Sequence, residues 1–491
     1  MQNPTQPSSS SSTTTLYTIL TITTLLFLLF FFFSPFPSPP PPPPSFSDPY
    51  LFPHRLSATQ YHNHQLLFLN KTTNQSPPAS PTIAYFISGS SNDSNRIIRL
   101  LFSIYHPRNQ YLLHLDRSAP QKERDFLALS LQSIPVFWAA QNVNVIGKAD
   151  LVSPKGSSSI SSTLHGAAIL LKLSPDWDWF INLSAADYPL VTQDDLLHIL
   201  SYLPKDLNFV NHTSYIGWRE SRILKPVVVD PGLFLAEQSE IFYGTQKRPL
   251  PDAYRLFTDL LHILSYLPKD LNFVNHTSYI GWRESRILKP VVVDPGLFLA
   301  EQSEIFYGTQ KRPLPDAYRL FTGSPSAILS RKFVEFCILG TENLPRTLLM
   351  YLSNSLSSQS VYFPTVLCNS PQLNRTVVNH NLQYSAYETK HEPRTLHSDD
   401  LADLISSGSA FGSPFVRDDP VLDRIDQELL KRGEGRPVPG GWCLGESRDE
   451  VCSIWGDADV LKPGPGAKRL EERMVELLSN ETFYSHQCIF E

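Results

Sequence analysis

The chain has 491 residues and a formal net charge of −6 at pH 7. This charge excludes the strongly basic, clustered surface that is typical of nucleic-acid-binding proteins, so no nucleic-acid partner is expected. The length supports one large or two ordinary domains with a substantial hydrophobic core.

The first predicted element is an apolar segment, residues 16–33, which reads LYTILTITTLLFLLFFFF without a charge. Its length is at the lower end of what spans a bilayer. Residues 1–15 carry no Lys or Arg, and the apolar run is long, so we favour an uncleaved signal anchor over a cleaved signal peptide. We therefore predict a cytosolic tail at 1–15 and a transmembrane anchor at 16–33.

A Pro/Ser-rich stem is predicted over residues 34–80. Its run SPFPSPPPPPPSFSDP is typical of an extended, semi-rigid polyproline spacer. The glycosylation sequons after the apolar segment agree with a body in the lumen of the secretory pathway. They begin at Asn70, Asn74, Asn92, Asn182, Asn211, Asn275, Asn374 and Asn480.

Strand and helix patterns alternate from Thr82 onward. Strand patterns cover 82–88, 111–116, 143–147 and 179–185, and helix patterns cover 94–106, 122–132 and 161–173. This order predicts an α/β fold with a mostly parallel central sheet, in which ligands bind at the carboxyl ends of strands. Asp116 and Asp187 follow two of these strands and are candidate binding residues. The alternative is that each caps a helix or closes a turn.

Residues 195–258 and 259–322 are identical, letter for letter. Solenoid repeats diverge and usually number three or more, so this is a recent tandem duplication or a gene-model error. We predict one catalytic-size domain over 81–491, with a single composite or complete copy docked in it. The other copy is expected to protrude as a poorly packed insertion.

Helix patterns return at 420–432 and 467–479, and a Gly/Pro/Cys-rich stretch separates them. Lys468 and Arg469 fall in the first turn of the second helix, where cations oppose the helix dipole. An anion bound at that helix N-terminus would make the arrangement favourable, and a solvated basic turn is the alternative. Arg448 lies between Cys443 and Cys452, whose nine-residue separation suits a small disulfide loop.

Metal chemistry has weak support in the sequence. The cysteine spacings do not suggest zinc, and Cys337 with Cys368 is a second candidate disulfide pair. Asp176 and Asp178 form a D-W-D triplet, but a metal-binding D-x-D motif should follow a strand, and this triplet precedes one. We interpret its acids as residues that flank a helix, and we expect no metal and no other cofactor.

Six ordered motifs together carry a family resemblance: LLHLD, DWFINLSAADYPL, GSPSAILSRKFVEF, DDPVLDRID, PGGWC and VLKPGPGAKRL. They resemble glycosyltransferase family 14, the core-2/I-branching family, which in plants includes β-glucuronosyltransferases that act on arabinogalactan proteins. The resemblance implies a type II Golgi membrane protein with a GT-A-like nucleotide-sugar fold. It also implies an inverting mechanism that needs no metal ion, because fixed cationic side chains stabilise the leaving diphosphate.

The same resemblance assigns roles to residues of this chain. It implies donor binding by Asp116, Asp187, Arg448 and Lys468, and a disulfide between Cys443 and Cys452. Acceptor contacts would come from the duplicated segment, at Glu220, Arg222 and Lys225 or at their copies Glu284, Arg286 and Lys289.

The chain departs from the family pattern at the catalytic base. Relatives carry a Glu just before an aromatic-rich stretch, and Ser360 occupies that position in SSQSVYFPTVLCN. A serine hydroxyl cannot take the acceptor proton unaided. A neighbouring acid substitutes, the loop is shifted, or the activity is impaired, and the sequence leaves these three open.

The expected function is transfer of a sugar, with glucuronic acid as the first choice, from a UDP-sugar to galactan or O-glycan chains of glycoproteins. Transfer of N-acetylglucosamine from UDP-GlcNAc is the alternative donor chemistry. A carbohydrate-binding protein without catalysis is the alternative class, since Ser360 replaces the base. A purely structural cell-surface protein would explain only the stem and the sequons.

Overall fold

The computed structural model describes residues 80–154, 156–216, 315, 317–353, 355, 358–388, 393–445, 452 and 454–488. The predicted tail, the anchor and nearly all of the stem lie outside these residues. Within them, no helix has both the length and the apolar character needed to cross a membrane.

The strands are mostly short, and the longest lie in the first half of the domain. They are β1 Ile83–Gly89, β2 Gln110–Leu115, β3 Val143–Val145, β4 Trp179–Ser184, β5 Tyr188–Pro189, β6 Asn208–Phe209, β7 Ile328–Ser330, β8 Val377–Val378, β9 Gln383–Tyr384, β10 Ala386–Tyr387, β11 Pro393–Arg394, β12 Phe411–Gly412, β13 Cys443–Gly445 and β14 Ile454–Trp455.

Seven strands form the central sheet, in the order β3-β2-β1-β4-β7-β6-β8. The pairs β1–β2, β1–β4, β2–β3 and β6–β8 are parallel, and β7 runs antiparallel to both of its neighbours. The predicted α/β class with a mostly parallel sheet is therefore confirmed. This architecture is consistent with a GT-A-like fold.

Helices cover both faces of this sheet. They are α1 Ser94–Ser103, α2 Gln121–Ser133, α3 Pro135–Ala140, α4 Ser157–Leu173, α5 Gln193–Ser201, α6 Arg331–Ile338, α7 Asn343–Leu352, α8 Gln359–Asn369, α9 Leu401–Ser406, α10 Pro420–Arg424, α11 Pro465–Leu478 and α12 Asn480–Ser485.

The side chains of β1 alternate between two hydrophobic clusters, as a strand buried on both faces requires. Tyr85 and Ile87 pack with apolar residues of α1, α2, α5 and α11. Ala84 and Phe86 pack with those of α4, α6, α7 and α8. On this second face, α4 approaches the sheet closely at Gly166, where a Cβ would lie 2.4 Å from the Phe86 ring. A larger residue there would push α4 off the sheet.

The predicted elements agree with the structure within a few residues in the first half of the domain. In the second half, the helix predicted at 420–432 ends its α-helical part at Arg424 and continues as a π-helical turn, Ile425–Leu429. The helix predicted at 467–479 begins earlier, because Pro465 occupies its first turn, where the missing N–H costs nothing.

Both ends of the duplicated region contribute to the described core. The start of the first copy, 195–216, supplies most of α5 and all of β6, and the end of the second copy includes Phe321 and Thr322. Thr213 and Thr322 exchange backbone hydrogen bonds of 2.8 and 3.0 Å. Residues of both copies therefore take part in the described core, and the docking of a single copy stays a prediction. Residues 217–314 lie outside the described residues.

Candidate active site

The parallel strands β1, β2 and β4 all end at one edge of the sheet, which we call the carboxyl edge. Their register pairs Gly89 with Leu115 and Ser88 with Ser184. The ladder extends one step further, because the Asp116 N–H donates to the Gly89 carbonyl at 2.9 Å. The loops that leave these strands therefore meet at one place, where an α/β sheet binds its ligand.

Asp116 lies at this edge and is buried. Its Oδ1 accepts hydrogen bonds from the backbone N–H of Ser118, at 2.9 Å, and from the Ser118 hydroxyl. Burial raises the pKa of Asp116, hydrogen bonds from Ser118 oppose that rise, and the nearby charge of Asp93 adds to it. Asp116 thus closes a turn, as the alternative interpretation expected, and it also stands at the ligand-binding edge. Its donor-binding role stays a prediction.

Asp187 follows β4 and is almost fully buried, with 3% of its surface exposed. Its Oδ2 accepts a 2.7 Å hydrogen bond from the Ser184 N–H. Burial raises its pKa, and hydrogen bonds from the Ser413 and Ser184 side chains partly oppose this. The carboxylate therefore connects the end of β4 to the segment after β12. This structural role is sufficient to explain the residue, and its predicted contact with the donor is not tested.

The β1 end carries a further charged group that the sequence patterns did not single out. Asp93 accepts from the Ser90 N–H at 3.0 Å and pairs with Arg96 at 3.1 Å. Arg417 lies 3.5 Å from the same carboxylate, and 44% of its side chain is exposed. Arg417 is therefore a cation at the carboxyl edge with surface left for a ligand.

A histidine and carboxylate cluster lies next to Asp116 and was also missed. His165 Nδ1 is 3.1 Å from Asp150 Oδ2, and the Asp150 N–H donates to His114 Nε2 at 3.1 Å. Burial acts to raise the pKa of Asp150, but the hydrogen bond and charge of His165 outweigh it and lower that pKa. Burial lowers the pKa of His114 to about 4, so this ring is neutral at pH 7.

Lys468 is exposed in the first turn of α11, and the chain itself provides the anion at that helix N-terminus. The Gly464 N–H donates to Asp195 Oδ1 at 2.5 Å. A Cβ on Gly466 would lie 2.3 Å from the other oxygen of Asp195, so glycine is needed there. Because Asp195 already satisfies this position, the anion expected there is internal to the protein.

The loop before α11 is anchored at the opposite end of β2 from Asp116. Trp442 packs on Tyr105 with ring centroids 5.5 Å apart, and the Val438 N–H donates to the Phe102 carbonyl at 3.1 Å. Residues 102–109 lead into β2, whereas Asp116 leaves it. Among the described residues, no hydrogen bond or ion pair links Lys468 to Asp116. Arg448 lies outside the described residues, so the donor role of both cations stays a prediction.

Ser360 is the second residue of α8, and its carbonyl accepts a 2.8 Å hydrogen bond from Gly323. Neutral side chains form the network beside it. Asn381 Nδ2 donates to Ser324 Oγ at 3.0 Å, and Asn211 Nδ2 donates to Asn381 Oδ1 at 3.4 Å. Asn182 joins the start of β7 by donating to the Pro325 carbonyl at 2.9 Å. These bonds join amide, hydroxyl and carbonyl groups.

The candidate acceptor residues all fall within 217–314. Glu220, Arg222, Lys225, Glu284, Arg286 and Lys289 therefore lie outside the described residues.

The disulfides agree only in part with expectation. Cys443 and Cys452 are bonded, with an S–S distance of 2.06 Å. The pairing of Cys337 with Cys368 is wrong, because Cys368 is bonded to Cys488 and Cys337 remains a thiol. Spacing could not reveal this partner, which lies 120 residues away near the end of the chain.

Comparison with known proteins gives a family match. The model of the Core-2/I-Branching enzyme family matches residues 83–256 and 253–404. The two matched segments overlap at residues 253–256, just before the boundary between the duplicated copies at 258/259. The chain is 43% identical over 415 residues to Beta-glucuronosyltransferase GlcAT14A of Arabidopsis thaliana, covering 84% of this chain and 78% of that protein.

Two other relatives extend the comparison. Beta-glucuronosyltransferase GlcAT14B of Arabidopsis thaliana is 42% identical, over 83% of this chain and 80% of its own length. Xylosyltransferase 1 of Rattus norvegicus is 26% identical over 64% of this chain, but only 29% of that protein is covered.

Proposed function

Because the chain belongs to the Core-2/I-branching enzyme family of glycosyltransferases, we propose that it transfers glucuronic acid from UDP-glucuronate to galactan chains of glycoproteins. The similarity to the two relatives named β-glucuronosyltransferases, across more than four fifths of the chain, carries the choice of donor. The proposed location is the Golgi membrane, with a single anchor and a luminal catalytic domain.

In this proposal the nucleoside diphosphate binds at the carboxyl edge. The Asp116 carboxylate, which a buried turn holds at the end of β2, accepts hydrogen bonds from hydroxyl groups of the donor ribose. Its burial supports this role, because a carboxylate held rigidly in a site of low dielectric constant makes strong charge-assisted hydrogen bonds. Asp187 is proposed as a second donor contact from the adjacent strand end.

The leaving diphosphate gains charge as the glycosidic bond breaks, and we propose that fixed cations rather than a divalent ion stabilise it. The sequence predicts Lys468 and Arg448 for this role, but the loop before α11 is anchored at the opposite end of β2 from Asp116, so Lys468 would reach the diphosphate only if the ligand extended across the domain. Arg417 joins them, because it already lies at the carboxyl edge and part of its side chain is exposed. Its guanidinium could form two parallel hydrogen bonds to phosphate oxygens, a geometry that a lysine cannot supply.

An inverting transfer also requires that a base take the proton of the attacking acceptor hydroxyl. Ser360 occupies the expected base position at the start of α8, and amide and hydroxyl groups form the network beside it. This observation supports a second candidate function, in which the chain binds the same donor and glycan but catalyses transfer slowly or not at all.

The experiment that separates these functions uses the purified chain with β-galactan and either UDP-glucuronate or UDP-GlcNAc, in EDTA. We expect glucuronic acid to be transferred and N-acetylglucosamine not. Transfer from UDP-GlcNAc but not from UDP-glucuronate would show that UDP-GlcNAc is the donor. Donor binding without turnover from either sugar nucleotide would support the binding function.

A further inference from the structure

His212, Cys368 and Cys488 form a compact group that we call the His-Cys cluster. One atom able to bind a metal from each residue lies within 4.8 Å of the other two. His212 comes just after β6, Cys368 lies on α8, and Cys488 is the last described residue. In the oxidised chain the two sulfurs are joined as a disulfide.

The imidazole of His212 has an unused nitrogen. Only 9% of the residue is exposed, and Nε2 is buried without a hydrogen-bond partner. Buried polar atoms are rarely left unsatisfied, so this nitrogen requires an explanation.

The buried ring nitrogen that lacks a hydrogen-bond partner is therefore available as a ligand. A neutral imidazole and two thiolates are ligands that zinc prefers.

We propose that reduction of the Cys368–Cys488 disulfide converts the His-Cys cluster into a zinc site, with water as the fourth ligand. A dithiol supplies two electrons and two protons, so the protein disulfide becomes two thiols while the dithiol becomes a cyclic disulfide. Zinc then displaces the two thiol protons and binds both sulfurs and the nitrogen of His212.

The geometry requires only small movements. Zinc bonds of about 2.3 Å to sulfur and about 2.0 Å to nitrogen hold tetrahedral ligand atoms roughly 3.5–3.8 Å apart. The three ligand atoms are already within 4.8 Å of one another, and reduction frees the sulfurs to separate. The zinc and the disulfide are therefore alternative cross-links between the end of β6, α8 and the C-terminal segment. This inference is independent of glycosyl transfer.

The test uses the full chain with the substitutions Cys337→Ser, Cys443→Ser and Cys452→Ser, which leave only the cysteines of the cluster. After reduction and removal of the reductant under nitrogen, we expect one zinc ion per chain. Adding His212→Ala should weaken zinc binding by more than about tenfold, because loss of a ligand exceeds the usual cost of losing an outer-shell partner. Cobalt in place of zinc should give the visible absorption of a tetrahedral thiolate complex.

If a variant folds poorly, circular dichroism can still test the site, because it measures whether zinc restores the folded state. A reduced chain that unfolds without zinc and refolds with it supports the site, because metal binding is then coupled to folding. The unsubstituted oxidised chain should bind no zinc at the cluster. Zinc binding that His212→Ala leaves unchanged would overturn the proposal, as would a reduced chain that zinc neither binds nor refolds.

Discussion

Ser360 is the residue whose substitution bears most directly on catalysis. If loss of the base limits the rate, Ser360→Glu should raise kcat by about 10²–10⁴-fold, the usual contribution of a positioned general base. Glucuronic acid transfer to β-galactan measures the effect, and Ser360→Ala is the matched control, which should leave kcat unchanged. Equal rates in the two variants would mean that the base lies elsewhere in the chain.

Asp187 provides a test of the buried carboxylate at the end of β4. Because burial raises its folded-state pKa, the unfolded chain loses this proton first as the pH rises. We therefore expect the stability of the wild type, relative to Asp187→Asn, to fall as the pH rises from about 4 and to level off above the folded-state pKa. Urea unfolding at several pH values measures this difference, and a difference that grows with pH would contradict the assignment.

For single residues, the sequence predicted where a side chain lies in the sheet better than which group it contacts. Asp116 and Asp187 were found because strand patterns show where a parallel sheet ends. Asp195 was missed, since its contact with Gly464 joins residues 269 apart in the chain. A basic first turn in α11 signals that an anion is needed, but the pattern does not show whether a ligand or the protein supplies it.

At the scale of elements, one buried network fastens the segment after α10 to the rest of the domain. Asp426 accepts from the Tyr188 hydroxyl at 2.7 Å, from Arg99 at 2.8 Å and from Arg432 Nε at 3.0 Å. The network joins β5, α1 and the π-helical turn. Since Tyr188 directly follows Asp187, this network also fixes the backbone beside the end of β4 at the candidate site.

Removing the central carboxylate of this network should be costly. Asp426→Ala leaves the buried guanidinium of Arg432 without its carboxylate, whereas Arg99 keeps Asp423 at 2.7 Å, so we expect a loss of about 3–5 kcal/mol in the free energy of unfolding, mainly from Arg432. Tyr188→Phe removes one hydroxyl and should cost about 1–2 kcal/mol. Chemical denaturation of both variants measures the two losses in the free energy of unfolding. Equal losses would show that the carboxylate is not the centre of the network.

Elements with a strong period were predictable, whereas irregular ones were not. Strands β1 to β4 are apolar runs between clear helix patterns, so the sequence pattern was sufficient to predict them. The π-helical turn at Ile425–Leu429 has the same apolar spacing as an α-helix, and its extra residue per turn depends on tertiary contacts such as that of Asp426. The disulfide between Cys368 and Cys488 likewise depends on the folded topology.

For the whole molecule, the duplication is the feature with the clearest test. The described core uses the start of the first copy, residues 195–216, and the end of the second copy, which includes Phe321 and Thr322. A chain that lacks residues 259–322 still has one start segment and one end segment, because the two copies are identical. Loop length affects stability weakly, so this deletion should change the free energy of unfolding by less than about 1 kcal/mol. Thermal and urea unfolding of both chains provide the measurement. A deletion variant that fails to fold would show that both copies are needed.

On our proposal, the carboxyl edge binds the nucleoside diphosphate of a sugar donor without a divalent ion. Calorimetric titration of the purified chain with UDP in EDTA measures this binding. We expect the same Kd with EDTA as with manganese, a Kd about 10–100-fold weaker for Asp116→Ala from loss of a charged hydrogen bond, and no change for the exposed control Glu434→Ala. UDP binding that requires manganese, or that Asp116→Ala leaves intact, would show that the carboxyl edge does not bind the donor in this way.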